Sequence, residues 1–355
     1  MKGSGISRRD VLVGSSALAA GAVFSTRVMS AAPPPTAITP QLIEAAKKEG
    51  KVVWYTSVDL PLAEKIAKSF EAKFPGVAVR VERTGAERVF QRIGQEYGSN
   101  IHAVDVANSS DAAHFIVWKG QGLLQAYVPE DVAKVYPAEH KDPDGMFASF
   151  RVWVSIIAYN TNLVKKEDAP KSFADLLDPK WKGKIVKAHP GYSGTIMTAT
   201  YQMQRDLGWG FFEKLAAQNI MQVQSSADPP KRLALGERAV MADGNEYNIF
   251  QIAEKDGPVA PVYATEGSPL IVGPTGMFKA APNPNAARLF CSYSFTAECQ
   301  QLIIDVGGLR SMHPDTKEKP GRTPFKQIKV MKDDPAAVEK MSDEIKQHYV
   351  KIFHV

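Results

Sequence analysis

Cysteine is scarce in this chain, long apolar runs are few, and neither sign of charge dominates. Each shortage excludes something. Cys291 and Cys299 are the only cysteines in 355 residues. Eight residues apart on one continuous helix, their Cα atoms would be about 12 Å apart, too far for a disulfide. A helix break near Thr296 would bring them closer. There is no CxxC and no Cys/His spacing of a zinc site. His102, His114, His140, His313, His348 and His354 show no HxxxH spacing. No GxSxG, HExxH or P-loop is present, and no nucleophile–base pattern points to catalysis. The reading is therefore a protein that is not an enzyme and holds no cofactor and no resident metal. After the first 32 residues, no stretch reaches the roughly 18 apolar residues of a membrane span. The net charge is +5, of which residues 1–32 carry +3, leaving +2 for the remainder. That is too mild for a nucleic-acid binder, which needs a strong basic patch.

What is present begins with an export signal. Arg8 and Arg9 stand as a pair after Ser7, a small-residue apolar run extends from Val11 to Ser25, and Ser30, Ala31 and Ala32 offer cleavage positions. Residues 1–32 thus read as a twin-arginine signal peptide, and the expected location is the periplasm. Pro33, Pro34 and Pro35 form a linker.

Beyond it, helix and strand patterns alternate. PQLIEAAKKE is an amphipathic helix closed by Gly50, and KVVWYT is a buried strand. Leu62, Ile66, Ala67 and Phe70 have helical spacing after Pro61. VAVRVER, GAERVFQRIGQE and AVDVANSSD continue as strand, helix and strand. From residue 150 a second alternation runs through SFRVWVSIIAYN, a helix expected from Ser172, KGKIVKAHP, the GYSGT junction, NIMQVQSS and RAVMADGNEYN. The segment PVAPVYATEGSPLIVGPTGMF has strand character and reads as the path back. The expected fold is α/β with two lobes, each a mostly parallel sheet flanked by helices and joined by extended hinge segments. The lobes are placed at 39–150 plus 266–320 and at 151–265, with a C-terminal helical segment at 321–355. Trp54, Trp153, Trp181 and Trp209 sit in apolar patterns and are expected in the core.

EGKVVWYTSVD, FEAKFPGVAVRVERTGAERVFQRI, SFADLLDPKWKGKI and NAARLFCSYSFTAECQQLIIDVGGLRSMHPD together resemble the periplasmic solute-binding proteins of ABC transporters. The similar branch is the type II, family 1 branch that contains ferric-iron-binding proteins. The resemblance covers nearly all of the chain after the signal. It implies a cleft that closes on a small-molecule solute, a permease in the inner membrane as partner, and a monomer in solution.

Ligands of open α/β sheets bind at the carboxyl ends of strands, which selects the candidate residues. Thr56 and Ser57 follow the first strand; their hydroxyls can meet a ligand or form a turn before Pro61. Arg83 and Thr84 end the second strand, and the guanidinium suits a carboxylate or phosphate, or pairs with Glu82 or Glu87. Asn108, Ser109, Ser110 and Asp111 follow the third and can offer N–H groups to an anion or cap the next helix. Tyr192-Ser193-Gly194-Thr195 combines two hydroxyls and a glycine where a helix begins. In the resembled family this Ser-Gly-Thr turn contacts an anion. Asn245, Glu246 and Tyr247 follow a later strand. Iron-binding relatives carry adjacent tyrosines there; here Glu246 precedes Tyr247 and Asn248 follows it, so the pair is missing. One phenolate, with help from Tyr192, His189 or Glu246, is a poor site for a hard trivalent cation. The expected ligand is a small organic anion, a carboxylate or phosphate ester, with ferric iron as the alternative.

Overall fold

The computed structural model describes residues 31–355. The paired arginines and apolar run read as an export signal lie outside them. In chain order the first elements are α1 (Pro40–Glu49), β1 (Lys51–Thr56), α2 (Leu60–Lys73), β2 (Ala78–Arg83), α3 (Ala86–Gly98), β3 (Val106–Asn108), α4 (Ala113–Gly120), β4 (Leu124–Gln125) and α5 (Glu130–Val135). Next come β5 (Ala148–Val154), β6 (Ile157–Asn160), β7 (Ile185–Ala188), α6 (Gly194–Leu207), α7 (Trp209–Ala216), β8 (Met221–Val223), α8 (Asp228–Ala234), β9 (Val240–Met241), α9 (Glu246–Ala253) and β10 (Val259–Val262). The chain ends with β11 (Ser268–Phe278), α10 (Pro284–Ser294), α11 (Ala297–Asp305), β12 (Val330–Met331) and α12 (Pro335–Phe353).

Local chemistry explains the boundaries. Thr39 Oγ1 accepts from Leu42 N, Pro40 opens α1, and Gly50 ends it with φ +74°, a left-handed turn that favours glycine. The apolar run SFRVWVSIIAYN splits into β5 and β6 at Ser155-Ile156, which lie between the two sheets. The helix expected from Ser172 is only a pair of 3-10 turns, Ala174–Leu177 and Pro179–Trp181. Pro179 disfavours the helical conformation at Asp178 and breaks the run. The expected break at Thr296 is present, because its hydroxyl caps α11. Cys291 and Cys299 nevertheless remain free thiols in the core.

Two sheets organise these elements. The first has the order β12-β11-β3-β1-β2, with β4 and β5 also paired to β11; the second has the order β10-β6-β9-β7-β8. Both sheets are mixed rather than mostly parallel as expected, because β11 runs antiparallel to β3, β4 and β5, and β6 antiparallel to β9 and β10. In the first, β1 lies parallel to β2 and β3, with Thr56 opposite both Arg83 and Asn108. Three carboxyl ends are therefore flush on one edge. In the second, β7 runs parallel to β8 and β9, with Ala188 opposite Val223 and Val186 opposite Met241, giving a second flush edge. β5 stays in the first sheet as far as Val154, paired to β11, whereas every strand of the second sheet lies between Ile157 and Val262.

Each sheet has its own core. Trp54, Phe70, Phe290 and Tyr293 interlock around the first, with ring centroids 5.1–5.5 Å apart. Phe173, Trp181, Phe211 and Phe212 fill the second. Trp54 and Trp181 are buried as expected, while Trp209 is only half-buried. Helix α12 packs on α4 from the first half and on α6 and α7 from the second. No helix among the described residues is long and apolar enough to cross a membrane.

Candidate functional site

Where the two sets of strand ends face each other, they enclose a niche of about 40 Å³. Ser57, Asp59, Arg83, Ser110 and Arg151 line it from the first sheet's side, and Tyr192, Ser193, Thr195, Ser225, Asn245 and Tyr247 from the second's. A chamber of about 550 Å³ adjoins it, sharing Asp59, Arg83, Arg151, Ser225 and Tyr247. Another of about 590 Å³ shares Arg83, Tyr192 and Ser225. A cavity of about 640 Å³ lies elsewhere; Pro33, Val128, Phe147 and Phe295 are among its mostly apolar walls, and it lacks a convergence of guanidinium and hydroxyl groups.

Eight of the residues singled out in the sequence therefore come together at the niche: Ser57, Arg83, Ser110, Tyr192, Ser193, Thr195, Asn245 and Tyr247. Thr56, Thr84 and Gly194 do not, nor do Asn108, Ser109, Asp111 and Glu246. Thr56 is fully buried, donating to Asn108 Oδ1 at 3.5 Å and accepting from Val58 N at 3.0 Å, so its hydroxyl holds the turn. Thr84 lines the 590 Å³ chamber, and its N–H donates to Thr56 O. Gly194 approaches protein: a β-carbon there would lie 2.6 Å from Asp111 Cβ and 3.2 Å from the Ser110 carbonyl carbon.

Several polar groups near the niche are already committed. Asn108 Nδ2 donates to Pro274 O at 2.7 Å, and Asp111 Oδ1 accepts from Ala113 N at 2.9 Å. Asn245 is a hub: Trp153 Nε1 donates to its Oδ1 at 3.2 Å, and its Nδ2 reaches Ser226 Oγ, Tyr247 Oη and Asn248 Oδ1 at 2.9–3.2 Å. It thus holds several walls of the niche. Trp153, expected as a core residue, is buried but also lines the niche. Ser193 Oγ accepts from Ile196 N at 3.4 Å as the N-cap of α6, which directs that helix's N-terminal dipole at the niche.

The residue missed by strand-end reasoning is Arg151. It sits inside β5, 2 % exposed. Its Nη2 donates to Ser57 Oγ at 3.0 Å, its guanidinium lies 4.8 Å from the Trp153 ring centre, and its Nε has no hydrogen-bond partner. Among the described residues it forms no ion pair within 4 Å of a carboxylate. Burial pushes its pKa down from the ordinary arginine value, partly offset by Tyr247 and Asp59. Across the ladder stands Gly273, where a β-carbon would meet Arg151 Nε at 2.9 Å. A lone arginine in an otherwise apolar strand was the available signal.

Tyr247 is 5 % exposed, and burial pushes its phenol pKa up, with Asp59 adding to the rise. It is poorly suited to ionise. Glu246 is also unavailable to a metal. It is fully buried and accepts from Arg310 Nε and Nη2 at 3.0 and 2.7 Å, with Arg322 Nη2 at 3.1 Å. Glu87, Asp111 and His114 offer ligand atoms within 4.8 Å of one another, but Lys346 Nζ already lies 3.6 Å from Glu87. They read as a buried ion network linking α12 to the first half.

Comparison with known proteins decides the family. Residues 105–330 match the model of a bacterial extracellular solute-binding protein family. The chain belongs to that family. Its fold and family are those of non-enzymatic periplasmic transport components that imply a solute and a membrane permease. The solute-binding protein is 25 % identical over 244 residues to iron uptake protein A1 of Synechocystis sp., covering 64 % of this chain and 66 % of that one. It is 25 % identical over 245 residues to a putative 2-aminoethylphosphonate-binding periplasmic protein of Salmonella typhimurium, covering 66 % and 69 %. The periplasmic binding protein AfuA of Actinobacillus pleuropneumoniae, solved with fructose-6-phosphate, superposes with TM-score 0.79 at 24 % identity, covering 86 % of this chain and 99 % of that one. These likenesses establish the two-lobe type II fold.

Proposed function

We propose that this solute-binding protein captures a small organic anion, a carboxylate or a phosphate ester, between its two lobes, and delivers it as a monomer to an ABC permease. The observation that carries the reading is Arg151: a buried guanidinium aimed at the niche without a carboxylate to neutralise it. A buried charge is costly unless paired, and an anionic ligand is the missing partner. Arg83, the hydroxyls of Ser57, Ser110, Ser193 and Thr195, and the N terminus of α6 add donors without adding anionic ligands. Ferric iron needs several anionic oxygens, and the niche offers a single carboxylate, Asp59, beside two guanidiniums and a phenol whose pKa burial raises. Closure follows because an anion touching both edges stabilises the closed state. Export of the folded chain by the twin-arginine route belongs to the same proposal.

The test is mass spectrometry of whatever co-purifies, followed by calorimetry with that compound. A carboxylate or phosphorus oxyanion bound one-to-one supports the reading. A visible phenolate-to-iron band on adding chelated ferric iron, lost in Tyr247→Phe, overturns it in favour of iron.

A further inference from the structure

The carboxylate of Asp59 stands in the wrong place for an anion site unless it has a task of its own. Asp59 is the N-cap of α2, a position where aspartate normally turns its side chain back onto the first free N–H groups. Here the side chain makes no capping bond; Leu62 N and Ala63 N donate instead to its backbone carbonyl at 3.0 Å. The freed carboxylate points into the cleft and lines both the niche and the 550 Å³ chamber. Its closest cation is Arg83 Nη2 at 3.6 Å, beyond hydrogen-bond distance. The side chain is 29 % exposed, so it keeps acceptor capacity on the ligand side.

A carboxylate beside a bound anion repels it unless a donor stands between them. When the lobes close around a space this small, that carboxylate loses water. A ligand with a donor there gains a charge-assisted hydrogen bond. A ligand without one leaves a desolvated acceptor unpaired, and sites of that kind discriminate strongly. We propose that Asp59 is a specificity-determining residue that selects ligands carrying an ammonium or hydroxyl donor beside their anionic group; this rests on the anion reading above. Arg151 would take the anion and Asp59 the donor.

The experiment uses two matched probe series on the whole mature protein, measured by calorimetry: ethylphosphonate, 2-hydroxyethylphosphonate and 2-aminoethylphosphonate, and propionate, 3-hydroxypropionate and β-alanine. Inorganic phosphate serves as the bare anion. In at least one series the wild type is expected to bind a donor-bearing member tenfold or more tighter than its parent. In Asp59→Asn the ammonium preference is expected to fall at least tenfold while the parent anion binds as well or better. Asp59→Glu, which keeps the charge, is expected to retain part of the preference. A uniform loss across all members of a series would show that Asp59 only positions Arg83, and would overturn the proposal while leaving the anion reading intact. Equal binding of all members by the wild type would do the same. If the wild type binds no member of either series and no phosphate, both the proposal and the anion reading fall.

Discussion

Gly194 lies against Asp111 so closely that a β-carbon on it would sit 2.6 Å from Asp111 Cβ and 3.1 Å from Asp111 N. The contact joins the first turn of α6 to the loop after β3, one from each flush edge. Asp111 N is backbone and Asp111 Cβ the stiff base of its side chain, so neither can swing aside. Gly194→Ala is therefore expected to hold the edges apart. Overpacking costs about 1–3 kcal/mol, or roughly 5- to 150-fold in ligand affinity. Small-angle scattering should show a radius of gyration that no longer contracts when ligand is added. Normal contraction and wild-type affinity would show that this contact does not limit closure.

Glu246 ties α9 to the segment after α11 through Arg310 and Arg322. Its neighbours Asn245 and Tyr247 line the niche, so the ion cluster also sets their position. Glu246→Gln leaves two buried guanidiniums facing a neutral amide. Removing one partner of a buried pair costs about 3–5 kcal/mol. Thermal or urea unfolding should register that loss, and ligand affinity should drop with it. Unchanged unfolding would mean that Arg310 finds sufficient compensation in Glu318, 2.9 Å away.

Asp333 gives the stability a pH dependence of predictable sign. Burial, then the charge of Asp111, pushes its carboxyl up to about 7, while Gln202 Nε2, donating at 3.4 Å, opposes the rise. An unfolded aspartate titrates near 3.9. Between about pH 4 and pH 7 the folded protein thus holds a proton that the unfolded chain has lost, and stability falls as pH rises through that window. The protonated carboxyl's contribution is complete below about pH 4 and gone above about pH 7. Its size is of order 1–4 kcal/mol. Asp333→Asn should raise the melting temperature at pH 8 and leave it near wild type at pH 4. Parallel melting curves for both proteins from pH 4 to pH 8 would refute the assignment.

The parts of the site that follow from one strand and its own loop were legible in the sequence. The alternation of buried strands with amphipathic helices placed Ser57, Arg83, Ser110, Ser193, Thr195 and Tyr247 at carboxyl ends, and those side chains do converge. Thr56 could not be separated from Ser57, because one residue of register decides whether a hydroxyl faces the cleft or the strand below it. Arg151 was invisible for a different reason. Its place inside an apolar strand marks it as an anomaly, but its access to the cleft depends on Gly273, brought opposite it by the pairing of β5 with β11. Gly194 belongs to the Ser-Gly-Thr turn that the resemblance assigns to anion contact, but the partner it approaches is Asp111, distant in sequence and packed against it only in the assembled cleft.

Arg151 gives the last and most discriminating prediction, because its effects on folding and on binding should have opposite signs. In the described residues it has no carboxylate within ion-pair distance, only Ser57 Oγ, the Trp153 face and the more distant charges of Asp59 and Arg83. A buried cation so poorly compensated costs the folded state desolvation energy, and an apolar residue of similar length removes that cost. Arg151→Met should therefore leave the unliganded protein as stable as wild type or more so, measured by urea unfolding. For an anionic ligand the same change removes a charge-assisted hydrogen bond worth about 1.5–3 kcal/mol, so affinity should fall at least tenfold. Arg151→Lys should recover little, since an ammonium cannot reproduce the planar fork or its stacking on Trp153. Loss of stability without loss of affinity would make Arg151 a structural residue and remove the main support for an anionic solute.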